Sequence, residues 1–251
     1  MNDLKKKLSA IAIKIITRLY PFPGPYFAFF NSYFLHIKQA ISLINEKRLD
    51  QKNIIIDVGA ARGYVSGLFA KYLPETKIYA FEPIKASFGE LVIVSKKFSN
   101  IIPVNKAMGA AKYLQQINVA NRITASSLFE LNPQNDDNFI TQNINLVNKE
   151  EIEVSTIDDE IPANIKVNLI KLDVQGYEIE ALKGAINTLK RTYIVLVEVS
   201  NHNYYLNGAK YYEIDTFLRT QNFELLSFIP SLRDKNKILE WDCIYINKEL
   251  M

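Results

Sequence analysis

The 251-residue chain contains one cysteine, Cys243. A lone thiol excludes an internal disulfide framework and suits a reducing compartment. Its place in an apolar, strand-like run makes it an inert buried thiol rather than a nucleophile. Long hydrophobic runs are also missing: nothing approaches the roughly 20 apolar residues that span a bilayer. Lysines followed by apolar residues at the N-terminus imitate a signal peptide, but Lys14 and Arg18 interrupt that run and no small-residue cleavage site follows. Neither sign of charge dominates, with 30 basic against 27 acidic residues and a net charge of +3. No domain-wide basic excess marks a nucleic-acid binder. We therefore expect a cytoplasmic protein with no nucleic-acid partner. There is no internal repeat and no compact Gly-x-Gly-x-x-Gly, which disfavours a dinucleotide-dependent oxidoreductase. What remains is ordinary for a globular domain: 48% hydrophobic and 23% charged residues.

One stretch organises the rest, Asn53-Ile-Ile-Ile-Asp57-Val-Gly59-Ala60-Ala61-Arg-Gly63. Three consecutive isoleucines form the continuous apolar run of a parallel strand covered on both faces. Asp57 ends that run, and Gly59 and Gly63 allow a tight turn where backbone approaches a ligand. From there Val65, Leu68, Phe69 and Tyr72 fall on one helical face. A strand, turn and helix with the loop at the strand's carboxyl end is the first crevice of a doubly wound α/β fold.

Upstream, Leu4, Leu8, Ile11, Ile15 and Leu19 line one stripe of an amphipathic helix, with Lys5, Lys6, Lys7, Lys14 and Arg18 around it. Pro21, Pro23 and Pro25 stop it within an aromatic stretch that runs to Phe34. Residues 4–34 thus offer a surface for peripheral membrane contact at the inner face of the membrane. Docking on the same domain or on a second subunit, as a homo-oligomer, is the simpler use. With a further helix over Phe34–Lys47, residues 1–50 read as an N-terminal helical cap. Residues 51–251 read as the main α/β domain.

Within that domain strands alternate with helices, which predicts a parallel sheet. Strands are expected at Lys77–Phe81, Asn100–Asn105, Asn168–Asp173, Tyr193–Glu198, Phe223–Ile229 and Trp241–Asn247. Ile179, Leu182, Ile186 and Leu189 predict one helix after Gly176, and another covers Lys210–Thr220. The polar loop between the last two strands suits a hairpin, so the C-terminal strand is expected to be antiparallel. The rhythm breaks at about 109–166, an asparagine-rich insertion holding one short exposed strand near Glu151–Thr156.

Four predicted strands end in an acid: Asp57, Glu82, Asp173 and Glu198. In a parallel sheet all four belong to one crevice beyond the carboxyl edge. Glu82 stands at the distance from the opening turn at which a carboxylate accepts ribose hydroxyls. Asp57 beside the turn would repel a pyrophosphate, whereas a ligand bearing an amine and a sulfonium suits an acidic crevice. That favours S-adenosylmethionine over NAD.

These residues carry a family resemblance. The chain resembles the FkbM family of S-adenosylmethionine-dependent methyltransferases through Asp57-Val-Gly-Ala-Ala-Arg-Gly63, Phe81-Glu-Pro83, Ser126-Ser127-Leu128 and Thr156-Ile-Asp158-Asp159. Lys171-Leu-Asp-Val-Gln-Gly-Tyr-Glu178 with Ala181-Leu-Lys-Gly184 is the most specific part, and Glu198-Val and Trp241-Asp242 complete it. Ala61 departs from the family's usual Gly-Ala-Asn turn. The resemblance implies the class I methyltransferase sheet, a Rossmann-like doubly wound sheet, mostly parallel, with one antiparallel C-terminal strand. It also implies transfer of a methyl group to a hydroxyl, on a sugar or secondary metabolite. The same fold used as a non-catalytic cofactor-binding or assembly module is the alternative.

On this reading Asp57, Gly59, Ala60, Ala61, Gly63, Glu82, Pro83, Ser127, Asp173 and Gln175 hold the cofactor. Asp173, His202 and Glu178 stand at the reacting end, where a carboxylate or imidazole takes the hydroxyl proton. Each has a plainer role: Asp173 as a helix cap, Glu178 as an acid favoured by the helix dipole, His202 as a loop residue. His36 is expected to be structural. No metal is expected, although Asp173, Glu198 and Asp158 together would offer oxygen ligands to a divalent ion.

Overall fold

A computed structural model describes residues 27–121, 126–132, 144–202, 204–234 and 236–251, without the side chains of 27–34, 233 and 234. The expected helix over 4–19 and its proline-rich end lie outside the described residues. Strand β1, Ile54–Val58, is buried at every position, as its isoleucine run requires. After the glycine turn comes α2 (Tyr64–Tyr72), then β2 (Lys77–Phe81), α3 (Lys85–Ser95) and β3 (Ile101–Val104); α1 (Phe27–Glu46) precedes them. The second half holds β7 (Val167–Leu172), α5 (Glu178–Lys183), α6 (Ile186–Leu189), β8 (Thr192–Ser200), α7 (Tyr211–Thr220), β9 (Phe223–Asp234) and β10 (Lys237–Asn247).

These strands make one seven-stranded sheet in the order β3-β2-β1-β7-β8-β10-β9. The first five are mutually parallel. The C-terminal strand β10 runs antiparallel to both its neighbours, β8 and β9. It is inserted between them, so β9 forms the sheet's edge. The order reverses between β1 and β7, which places a crevice at the carboxyl ends of those two strands.

Side-chain alternation along the strands divides the core into two apolar layers. Ile56, Ile170, Val195 and Tyr245 pack with Leu182 of α5 and Ile214 and Leu218 of α7. Ile55, Leu169, Ile194 and Ile244 pack with Phe69 of α2 and Ile37, Ala40 and Ile44 of α1. So α1 is not a cap ahead of the core. Its apolar stripe completes one covering layer of the sheet, a correction to the division at residue 50.

Two further expectations change. The region from about 109 to 166 carries a second sheet of three strands, β4 (Ala107–Met108), β5 (Tyr113–Ala120) and β6 (Leu146–Ser155), ordered β4-β6-β5. The exposed strand near 151–156 is the end of β6, and the unit begins at Ala107. A short helix α4 (Ile157–Glu160) follows. Second, the helix expected through Leu189 is broken into α5 and α6. A side chain at Gly184 would meet the Gly109 carbonyl oxygen at 2.0 Å, so chain contact at the break admits only glycine. The Asp158 carboxylate then starts α6 afresh, accepting the N–H of Asn187 at 2.9 Å and of Thr188 at 2.7 Å. Asp158 is a helix cap away from the crevice, which removes it from the hypothetical metal set.

Candidate active site

Asp57 does not offer its charge to a ligand. It is fully buried, and Oδ2 accepts the Ser66 hydroxyl at 2.6 Å. Its Oδ1 lies 3.3 Å from the Lys171 ammonium, directly across the β1–β7 register. Lys171 also donates to the Gly59 carbonyl at 3.1 Å and lies 3.6 Å from Asp173. Burial pulls its ammonium down, but Asp57, Asp173 and Glu198 outweigh burial and hold it above its ordinary value. Asp57 therefore cannot repel a pyrophosphate as a bare charge would, and the electrostatic case against a dinucleotide loses that support. A lysine between Ile170 and Leu172 was the visible signal; a buried charge needs partners.

The glycine turn lies over this pair. Gly59 has φ +77, and a Cβ there would meet the Asp173 carbonyl oxygen at 1.9 Å, so the turn is built around backbone contact between the two loops. Gly59 and Ala60 both donate to the Phe81 carbonyl, at 3.1 and 2.9 Å. Gly63, with φ +81, starts α2, and its N–H reaches the Ala60 carbonyl at 2.8 Å. Ala61 has φ +47, the left-handed region that asparagine adopts more readily than alanine.

Glu82 closes the turn from β2. Its Oε2 accepts the Ala61 N–H and its Oε1 the Ile84 N–H, both at 2.9 Å. Burial pushes its carboxyl up to about 7 against the lowering effect of those two bonds. Each oxygen keeps a further lone pair, enough for ligand hydroxyls. A cleft opens here, with Gly59, Ala61, Glu82, Pro83, Ser127, Asp173 and Gln175 in its wall. Asp57, Ala60 and Gly63 support the turn from behind and are not part of that wall.

Across the cleft, the loop after β7 is braced from several sides. Asp173 donates its N–H to the Val58 carbonyl at 3.2 Å, and it caps no helix. Glu178 folds back so that Oε1 accepts the N–H of Val174 at 3.0 Å and of Gly176 at 3.2 Å. Its carboxyl, pushed up to about 7 by burial, holds this loop in shape. Gln175, at φ +56, is the hub. Its amide nitrogen donates to Asp173 Oδ1 and Glu198 Oε2, each at 3.0 Å. The amide oxygen accepts from the Tyr205 hydroxyl at 3.0 Å, and the backbone carbonyl accepts from Ser127 Oγ at 2.7 Å.

A second cavity adjoins Gln175. Gln175 belongs to both walls. Glu178, Glu198 and Glu240 supply its acids, and His202 and Tyr204 form a stacked pair with ring centroids 5.7 Å apart. Burial, then Asp173, Glu240 and Asp242, raise the Glu198 carboxyl well above its usual range. Glu240 is pushed up to about 7 by burial and the charges of Asp173 and Glu178. Asp242 sits opposite Glu198 across the β8–β10 register, and its Oδ2 lies 3.1 Å from Nδ1 of His36 on α1. Among the described residues no group of three potential metal ligands is assembled.

A sheet with this order, a glycine turn after β1 and an acid ending β2 defines a class I methyltransferase fold. The model of the methyltransferase FkbM domain matches residues 57–225, and the chain belongs to that family. A solved structure agrees on the fold. The magnesium protoporphyrin IX methyltransferase of Synechocystis PCC 6803 with bound SAM matches at 9% identity over 98% of this chain and 96% of that one, TM-score 0.52. An rRNA methylase of Streptococcus thermophilus matches at 10% over 85% and 94%, TM-score 0.46, and a fibrillarin/Nop5p complex at 18% over 79% and 74%, TM-score 0.45. The last two are too distant to inform anything further. No curated protein matches the chain.

S-adenosylmethionine is the cofactor, and the first cleft fits it. Glu82, Asp173 and Gln175 give its wall polar groups, and Ile84, Met108 and Leu128 give it apolar ones.

Proposed function

We propose that the protein methylates a hydroxyl of a small acceptor, a sugar or another secondary metabolite, seated in the second cavity. The observation that carries this reading is Gln175, whose one amide nitrogen holds a carboxylate of the first cleft and a carboxylate of the second cavity, each at 3.0 Å. When bound, the cofactor supplies an electrophilic methyl group on a cationic sulfur. Glu82 binds its ribose hydroxyls. The Gly59–Ala61 turn and Pro83 form the rest of that wall, and Ser127 fixes the loop opposite through Gln175.

Asp173, in the wall of the first cleft beside Gln175, takes the acceptor's proton at a carboxylate oxygen, and His202, in the wall of the second cavity, is the second candidate. Holding the acceptor oxygen in line with the methyl group supplies much of the rate, roughly 7–11 kcal/mol in favourable cases. Among the described residues the second cavity has no lysine or arginine in its wall, which disfavours a phosphate-rich acceptor such as nucleic acid. On this reading the reaction takes place in the cytoplasm. Among the described residues no helix is long and apolar enough to cross a membrane.

Incubation with methyl-labelled cofactor and a panel of sugars and hydroxylated metabolites tests this reading. Label on an acceptor hydroxyl supports it. Tight binding of S-adenosylhomocysteine with no transfer to any member would favour the non-catalytic module, for which the strained Ala61 turn is the one structural argument.

A further inference from the structure

The second cavity, the acceptor's proposed seat, is more acidic than the protein itself neutralises. Its wall holds Glu178, Glu198 and Glu240 and, among the described residues, no lysine or arginine. Two of those acids have partners: Glu178 accepts two loop N–H groups, and Glu198 accepts from the Gln175 amide at 3.0 Å. Among the described residues the Glu240 carboxylate makes no hydrogen bond and no ion pair. It is half-buried, and the charges set against it, Asp173 and Glu178, are both negative. The basic groups that reach this cluster are committed to other acids. Lys171 lies 3.3 Å from Asp57 and 3.6 Å from Asp173, and His36 lies 3.1 Å from Asp242.

Strand register places the two incomplete acids together. Asp242 pairs with Glu198 and Glu240 pairs with Ser200, so Glu198 and Glu240 are diagonal neighbours on one face of the sheet. That spacing lets both carboxylates reach one ammonium group. A half-buried carboxylate surrounded by like charges is costly until a cation completes it. The cofactor's sulfonium belongs to the first cleft, whose wall includes neither Glu198 nor Glu240. No group of three potential metal ligands is assembled among the described residues. The acceptor itself is the remaining source. We propose that the acceptor carries a protonated amine, as an amino sugar or amino alcohol does, and that Glu240 binds it together with Glu198. This rests on the second cavity being the acceptor's seat. The ammonium is held and not methylated: the hydroxyl oxygen bonds the methyl carbon, the carbon–sulfur pair stays on sulfur, and the hydroxyl proton goes to Asp173.

The test is transfer from methyl-labelled S-adenosylmethionine to matched acceptors: glucosamine, N-acetylglucosamine and glucose, and the corresponding galactose set. Wild type should favour the free amine over both neutral forms by about tenfold or more in kcat/KM, as a charge-assisted hydrogen bond would, with the label on oxygen. Glu240→Gln should erase that preference through KM while its affinity for S-adenosylhomocysteine is unchanged, and Glu198→Gln should reduce the preference in the same direction. Equal or better transfer to the neutral forms overturns the proposal and leaves the acceptor reading standing. A preference that survives Glu240→Gln overturns it, as does label on nitrogen or transfer that requires added Mg²⁺ and stops with a chelator. A variant that loses affinity for S-adenosylmethionine but not for S-adenosylhomocysteine also overturns it, because Glu240 would then serve the sulfonium. Transfer to no acceptor of either set, with S-adenosylhomocysteine still bound, overturns the acceptor reading and this proposal with it.

Discussion

Two pairs of charged residues face each other across strands of the same sheet, and they are built in opposite ways. Asp57 on β1 stands opposite Lys171 on β7, an attractive pair further tied down by Ser66 and the Gly59 carbonyl. Glu198 on β8 stands opposite Asp242 on β10, two carboxylates with Asp173 and Glu240 close enough to raise both. The first pair closes the floor beneath the cofactor turn and leaves nothing for a ligand to do. The second leaves electrostatic work undone on the side where the acceptor is proposed to enter. Binding energy is thus set aside at the reacting end, while the cofactor end is preorganised.

Breaking the attractive pair should have the largest effect. Lys171→Met leaves Asp57 buried and uncompensated, a loss of roughly 3–5 kcal/mol of stability in denaturant titration. A loss under 1 kcal/mol would mean that the Asp57–Lys171 pair does not hold the floor of the turn. Next comes the shared carboxylate. Asp173→Asn should lower methyl transfer by about a hundredfold or more, as loss of a general base does. Its S-adenosylhomocysteine affinity should stay within about threefold. A parallel collapse of binding would assign Asp173 to the cofactor instead.

Relieving the repulsive pair should act in the other direction. The carboxyls of Glu82, Glu178 and Glu240 are raised from 4.5 to about 7 in the folded protein. The folded state therefore holds more protons than the unfolded one between those values, and stability is lost as pH rises through that window. Thermal melts of the empty protein should show Tm falling from pH 5 to pH 8. Glu198→Gln, by removing one of two opposed like charges, should raise stability at pH 8 by about 0.5–1 kcal/mol. A Tm that climbs over that range in wild type would contradict the account of the acidic cavity. The smallest effect belongs to the turn. Ala61→Asn, at φ +47, should raise Tm by roughly 2–4 °C for about 1 kcal/mol of relieved strain.

Much of the fold was legible because apolar runs and turn residues are local signals. The isoleucines of β1, the periodicity of α2 and α7 and the final hairpin all follow from neighbours along the chain. Contacts between distant segments were not. Nothing near Asp57 says that Lys171 lies beside it, since that depends on β1 and β7 being neighbours in a given register. Gly184 reads as a helix residue until the Gly109 carbonyl lies against it. The site was legible to the same degree: Glu82, Asp173, Gln175 and Ser127 were marked by position at strand ends or by motif. Lys171 had a motif but no role, and Glu240 had neither. Glu178 was visible as an acid early in a helix, but its bonds to two loop N–H groups required the loop's shape.

The central claim is that Glu82 holds the cofactor's ribose in a preorganised cleft. Titration of S-adenosylhomocysteine into wild type and Glu82→Ala between pH 6 and pH 8 tests it most directly. Wild-type affinity should rise with pH, because an ionised Glu82 accepts hydroxyls better than the acid that predominates below about 7. Glu82→Ala should bind at least about tenfold more weakly at pH 8 and show no such rise, consistent with a charge-assisted bond of roughly 1.5–3 kcal/mol. Equal affinities for the two proteins at pH 8 would contradict the account.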